Sequence, residues 1–198
     1  QLVQKRHRFL VEARLQVIAC ACVWLGFGHV SHCKASVCNR YPVAMAEKTH
    51  ALTALKGTDH KVLTYSPSQD HFGTHAAEEL ELDPASVLKT LVITHERELA
   101  ICCVPVDGHL SLKAAAKTLG WKRAEMADPA KAQRATGYVV GGISPLGTKQ
   151  KLATLIDASV ADLPTINVSA GQRGLSVQLH PRDLAELTGA TFAPISAP

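Results

Sequence analysis

The sequence predicts one mixed α/β domain over residues 45–198, a sheet flanked by short helices. Three observations carry this. About seven short apolar runs with strand-like alternation are interleaved with about five stretches of helical pattern. Some of these runs are immediate neighbours and others are parted by a helical excursion, which fits a mixed sheet better than a regularly alternating parallel one. No internal repeat and no linker-like stretch follows Met45, which keeps the elements in one unit.

Each element has a local reason. Thr49 to Lys56 reads as a helix stopped by Gly57, and Lys61-Val62-Leu63-Thr64-Tyr65 as a strand. A polar loop from Ser66 to Gly73 leads to a second helix with Thr74 as its N-cap, since a hydroxyl can accept from an amide left unpaired in the first turn. Asp83-Pro84 is a cap followed by a first-turn proline and gives one more turn. Leu88 to His95 and Leu99 to Val104, separated by Glu96-Arg97-Glu98, make a hairpin. Ser111 opens the alanine-rich helix Leu112 to Leu119, which Gly120 ends, and Asp128-Pro129 opens another that Gly137 closes. Strands follow at Tyr138–Val140, Leu152–Ile156, Thr165–Val168 and Leu175–Leu179. A helix from Arg182 to Leu187 stops at Gly189, and a short strand lies at Thr191–Phe192.

Charge and cysteine divide the chain at the same place. Of the 198 residues, the first 44 hold six Lys/Arg and the single acid Glu12, so the remainder carries 15 bases against 16 acids and is near neutral. Cys20, Cys22, Cys33 and Cys38 precede Met45, and only Cys102 and Cys103 follow it. The body therefore reads as a cysteine-poor cytosolic domain with no disulfide framework, and global attraction to nucleic acid is excluded in favour of local basic groups. In residues 1–44, the apolar run Leu15 to Gly28 behind a basic start resembles a secretory signal. The plainer expectation is a non-core extension with Met45 as the natural start. It is too short for a comfortable membrane span, and His29, His32, Cys33 and Cys38 lack a standard zinc spacing.

Two glycine-rich stretches are where chemistry is expected. Gly141-Gly142-Ile143-Ser144-Pro145-Leu146-Gly147 follows the apolar run Tyr138–Val140, and Ser169-Ala170-Gly171-Gln172-Arg173-Gly174 follows Thr165–Val168. Glycines at strand ends let main-chain amides approach a phosphate or the developing oxyanion of an ester. The first loop lacks the Lys-Ser/Thr ending of a P-loop, and Ser144, followed by Pro145, sits in no nucleophile elbow. Lys89 shares a strand face with Leu91 and Ile93. Pattern alone favours an edge lysine that reaches out to water; the functional reading is a cation for a phosphate or an ester carbonyl. Cys102 and Cys103 face opposite sides of their strand, as structural cysteines do. The scattered histidines His50, His60, His71, His75, His95, His109 and His180 form no metal motif, so neither metal nor cofactor is expected. Lys113, Lys117, Lys122, Arg123, Lys131 and Arg134 read mostly as a solvated surface, with Lys149, Lys151 and Arg173 near the glycine loops as possible guides for an RNA backbone.

Lys89-Thr90-Leu91-Val92, Glu125 to Asp128, Gln133 to Tyr138, Gly141 to Gly147 and Val168 to Leu175 occur in the order seen in the YbaK/EbsC proteins, which the body resembles over essentially all of 45–198. These are free-standing relatives of the editing domain of bacterial prolyl-tRNA synthetase. The resemblance implies a β-barrel-like sheet with helices around it, acting on mischarged tRNA(Pro) in the cytoplasm, beside prolyl-tRNA synthetase and with no DNA or membrane partner. It implies Lys89 as the active-site lysine, Tyr65 at the pocket's edge, and Gly141 with Gly142, Ile143, Ser144, Pro145, Leu146 and Gly147 around the terminal adenosine and ester. Ser169, Gly171, Arg173 and Gly174 complete the substrate-binding set. It further implies cysteinyl-tRNA(Pro) deacylation in which the substrate's own thiol attacks its ester carbonyl. The alternatives are alanyl-tRNA(Pro) hydrolysis by water and a non-catalytic tRNA- or synthetase-binding module. The chain departs from the family at Ala170 and Gln172, where Gly and Lys are usual, and at Ser176, where an acid is frequent.

Overall fold

The computed structural model describes residues 48–67 and 72–197. The expected extension over 1–44, the start at Met45 and the middle of the Ser66–Gly73 loop lie outside the described residues. The elements run in the order α1 (His50–Ala54), β1 (Lys61–Thr64), α2 (Phe72–Glu79), β2 (Leu88–His95), β3 (Glu98–Pro105), β4 (His109–Leu110), α3 (Leu112–Leu119) and β5 (Glu125–Met126). They continue with α4 (Pro129–Thr136), β6 (Ala153–Asp157), β7 (Ile166–Gln172), β8 (Leu175–Leu179), α5 (Pro181–Thr188), β9 (Thr191–Ala193) and β10 (Ser196–Ala197). Side chains set the starts of α3 and α4 as the sequence suggests, Ser111 and Asp128 each accepting from an amide in the first turn, and Thr49 does the same for α1 from just outside it.

A mixed five-stranded sheet in the order β5-β2-β3-β6-β9 carries the β2–β3 hairpin, with β3, β6 and β9 parallel. A three-stranded antiparallel sheet, β1-β8-β7, packs against it, and β10 pairs with β4. The main core lies between the two larger sheets: Leu88, Val92, Ile101, Cys103 and Ile156 from one meet Ile166, Val168, Leu175, Val177 and Leu179 from the other. The opposite face of the five-stranded sheet buries Ile93, Ala100, Cys102, Val104 and Leu155 against Ala115 of α3 and Ile195. Cys102 and Cys103 thus belong to different cores, as alternation requires.

Four expectations need correction. Tyr138–Val140 is not a strand: after the left-handed cap at Gly137 the chain turns, Tyr138 drops into the core, and Val139 and Val140 are exposed. The second glycine stretch is not a loop after a strand ending at Val168, because β7 continues to Gln172 through an irregular register and turns at Arg173-Gly174. The second helix starts at Phe72, so Thr74 lies inside it. The hairpin turn is Glu96-Arg97 alone, with Glu96 at φ +53° and Glu98 paired to His95. The two-residue strands β4, β5 and β10 are additional. No helix among the described residues is long and apolar enough to cross a membrane.

Candidate functional site

The two edges of β2 are treated differently. β3 pairs with β2 along its whole length, whereas β5 pairs with it only at Ile93 and Thr94. At the other end Val87 bridges to Asn167 of β7. Between these contacts the edge at Leu88–Leu91 faces a cavity of about 570 Å³ instead of a strand. α2 contributes Phe72 and Gly73, the start of α4 Pro129 and Ala132, the turn after β3 Val106, and the first glycine loop Val140, Gly141 and Ile143.

Lys89 lines this cavity, and its Nζ donates to the carbonyl oxygens of Gly108 at 2.5 Å and Val106 at 3.4 Å. Burial pulls its pKa below the ordinary lysine value, partly opposed by the carboxylate of Asp107. Tyr65 lines the wall formed by the three-stranded sheet, together with Ser176. Burial raises its pKa, offset in part by Ser176 and by the Gly174 backbone, so at neutral pH it is a proton donor. Ser169, the cross-strand partner of Ser176, and Asn167 extend this neutral polar wall.

The sequence-derived site residues divide into two groups. Tyr65, Lys89, Gly141, Ile143 and Ser169 line the cavity together. Gly142, Ser144, Pro145, Leu146, Gly147, Gly171, Arg173 and Gly174 do not, and they shape the loops behind it. Ser144 is fully buried, and its Oγ accepts from the Leu146 amide at 3.2 Å. The Gly142 amide donates to Val139 O at 3.0 Å, so two amides of the first loop are already engaged. Tyr138 Oη donates to Leu146 O at 2.7 Å, and Gly171 lies so close to the Tyr138 ring that a Cβ there would meet it at 2.5 Å. Gly147 packs on the His50 backbone, Gly142 on that of Gln172 and Arg173, and the Gly174 carbonyl accepts from the Tyr65 amide.

Gly141 is where backbone freedom meets the cavity. It has φ +87°, and a Cβ would fall 2.7 Å from the Phe72 ring. Arg173 reaches across from the second glycine stretch, donating from Nε and Nη2 to Val140 O at 3.0 and 2.7 Å while its guanidinium lies 4.9 Å from the centre of the Phe72 ring. Arg173 therefore fastens the turn that presents Gly141. The sequence reading weighed His109 only as a metal ligand and overlooked Phe72 and Asn167, though all three line the cavity. No periodicity or spacing marks them; only the folded chain gathers them. Cys102 and Cys103 do not line the cavity, and burial pushes each thiol up to about 12. Among the described residues no group of three His, Cys, Asp or Glu is placed to hold a metal ion.

The arrangement offers a cation, a neutral hydrogen-bonding wall and a glycine turn around an apolar floor, with no carboxylate or thiol on the lining among the described residues. It can hold and polarise a ligand, and among the described residues it brings no thiolate or carboxylate nucleophile. Comparison with known proteins gives the site a context. Residues 73–187 match the model of the aminoacyl-tRNA editing domain. The chain is 32% identical over 156 residues to EbsC of Enterococcus faecalis, named as a candidate Cys-tRNA(Pro)/Cys-tRNA(Cys) deacylase, covering 76% of this chain and 94% of that protein. It is 27% identical over 114 residues to the uncharacterised protein YwhH of Bacillus subtilis, covering 57% of this chain and 72% of the relative. A solved structure described as a candidate trans-editing enzyme for prolyl-tRNA synthetase shares the fold with a TM-score of 0.67 at 23% identity, over 75% of this chain and 96% of that one.

Proposed function

The chain belongs to the aminoacyl-tRNA editing domain family, and on that premise we propose that it is a trans-editing deacylase that clears cysteine from mischarged tRNA(Pro). The observation that carries this is the cavity itself: Lys89 and the Gly141 turn flank it, yet among the described residues no thiol or carboxylate lines it. A site of that composition suits a substrate that supplies its own nucleophile. The cysteinyl sulfur attacks the ester carbonyl carbon, the C–S bond forms as the C–O bond to ribose breaks, and the thiol proton ends on the ribose hydroxyl. Water then opens the resulting cyclic thioester. Holding the thiol against the carbonyl can supply roughly 7–11 kcal/mol in favourable intramolecular cases. In this reading Lys89 neutralises phosphate or carbonyl charge, Gly141 gives close main-chain approach and Tyr65 donates from the pocket's edge. The remaining glycine-loop residues act by holding that turn.

We assign the activity to residues 45–198, working in the cytosol beside prolyl-tRNA synthetase. The near-neutral body is consistent with such a partner, because its own charge attracts tRNA weakly. His109 on the cavity wall favours a second reading, hydrolysis of alanyl-tRNA(Pro) by water with the imidazole as base. Deacylation by the full chain of tRNA(Pro) charged separately with cysteine, serine, alanine and proline separates the two. Cysteine should leave at least about a hundredfold faster than serine, which lacks the thiol. Faster release of alanine than cysteine would establish the second reading, and no release from any of the four would reduce the chain to a binding module.

A further inference from the structure

Asn167 lies where the two larger sheets part, with its backbone bridged to Val87 at one end of the open β2 edge. Strand alternation puts its side chain on the face of Ser169 and Ser176, both of which line the cavity with it. It is 1% exposed, and neither Oδ1 nor Nδ2 finds a hydrogen-bond partner among the described residues. Its neighbour on that wall is engaged: the Ser169 hydroxyl accepts from the Gly171 amide. A buried carboxamide left wholly unpaired is rare in folded proteins and points to a ligand.

The chemistry of the group narrows that ligand. A carboxamide presents one acceptor and one donor side by side in a plane, so its complement presents a donor beside an acceptor. At the end of an aminoacyl-tRNA the adenine base does this, through its N6 amino group and the adjacent ring nitrogen, and Asn is a standard bidentate reader of that edge. The α-ammonium of the amino acid carries donors only and would leave Nδ2 unpaired. The apolar side chains of Val87, Leu91 and Val106 in the same cavity suit the faces of a purine. We infer that Asn167 reads the base edge of the terminal adenosine and makes the site selective for adenine there. The inference rests on the deacylase reading for the identity of the ligand.

The test is equilibrium binding of a short oligoribonucleotide ending in adenosine, against the same strand ending in purine riboside, which lacks the N6 amino group. The full-length protein should bind the adenosine end about tenfold more tightly, the scale of one or two net hydrogen bonds. Asn167→Leu, checked for a native circular dichroism spectrum, should bind both ends alike and weakly. Equal binding of the two ends by the wild type, or a preference kept by folded Asn167→Leu, overturns the inference. If that variant does not fold, Asn167→Asp serves instead: it keeps the shape and loses the amide donor, and wild-type affinity for the adenosine end would overturn the inference equally. A third strand carrying amide-linked alanine, with and without its amino group, completes the comparison. Dependence on Asn167 there, and not at the base, would assign the residue to the amino acid and overturn the inference. Because binding needs no turnover, a chain that distinguishes the bases but releases no amino acid breaks the deacylase reading alone. A chain that deacylates but ignores N6 breaks this inference alone.

Discussion

Asp157 and Asn167 are both buried polar side chains on strands of the larger sheets, and their circumstances are opposite. Asp157, 2% exposed, accepts from the Ser159 amide and hydroxyl at 3.0 and 2.5 Å and from the Ile195 and Ser196 amides at 2.9 and 2.7 Å. Asn167 has none among the described residues. The carboxylate clips the end of β6 to the start of β10, and β10 pairs with β4, which carries His109 beside the Gly108 carbonyl that holds Lys89. One group is fully used in holding the cavity wall in place, and the other stands unused on that wall. A buried polar group that is satisfied internally reports on architecture; one that is not reports on what the architecture binds.

Removing the satisfied group should have the largest effect. Asp157→Ala leaves two amides at the C-terminal strand without their acceptor and should cost about 3 kcal/mol or more, read as a lowered denaturation midpoint. The same group makes the wild type acid-sensitive. Burial works to raise the Asp157 pKa, but the Ser159, Ser196 and Ile195 donors outweigh it, leaving the folded value below the ordinary 3.8. Its contribution is therefore complete above 3.8 and is lost as the pH falls through that lower folded value, so Asp157→Asn should flatten the acid limb of the stability profile. Lys89→Ala comes next in size. It should lower kcat/KM about a hundredfold, some 2.7 kcal/mol, while the melting temperature stays close to wild type; unchanged turnover would remove Lys89 from the mechanism. The smallest shift, and the one of opposite sign, belongs to Asn167→Leu. Replacing an unpaired amide with an apolar group of similar size should leave stability unchanged or raise it by up to about 1 kcal/mol, whatever it does to binding. A large loss there would make Asn167 a second Asp157 and erase the contrast.

Much of the frame was legible in the sequence because it depends on local rules. The β2–β3 hairpin followed from alternation and the Glu96-Arg97 break, and the starts of α3 and α4 from Ser111 and Asp128-Pro129. The failures have tertiary causes. Tyr138-Val139-Val140 has the composition of a strand, but Tyr138 is spent filling the space under Gly171 and bonding the first glycine loop, so no ladder forms. β4, β5 and β10 are two residues each, too short to show a period. At the site, Lys89 stood out as a cation on an apolar face. Asn167 did not, because a polar residue between Ile166 and Val168 is what any half-exposed strand would show. Only the approach of β7 to the end of β2 turns that ordinary position into a closed one.

The pair of thiols at the centre of β3 has a practical consequence. Both are fully buried, one on each side of the five-stranded sheet, and with pKa values near 12 they hold almost no thiolate at neutral pH. Alkylating reagents should therefore reach Cys102 and Cys103 only when the sheet opens. Peptide-resolved labelling of these two positions amounts to a native clock for that event, with Cys103 timing the core between the sheets and Cys102 timing the layer beneath α3.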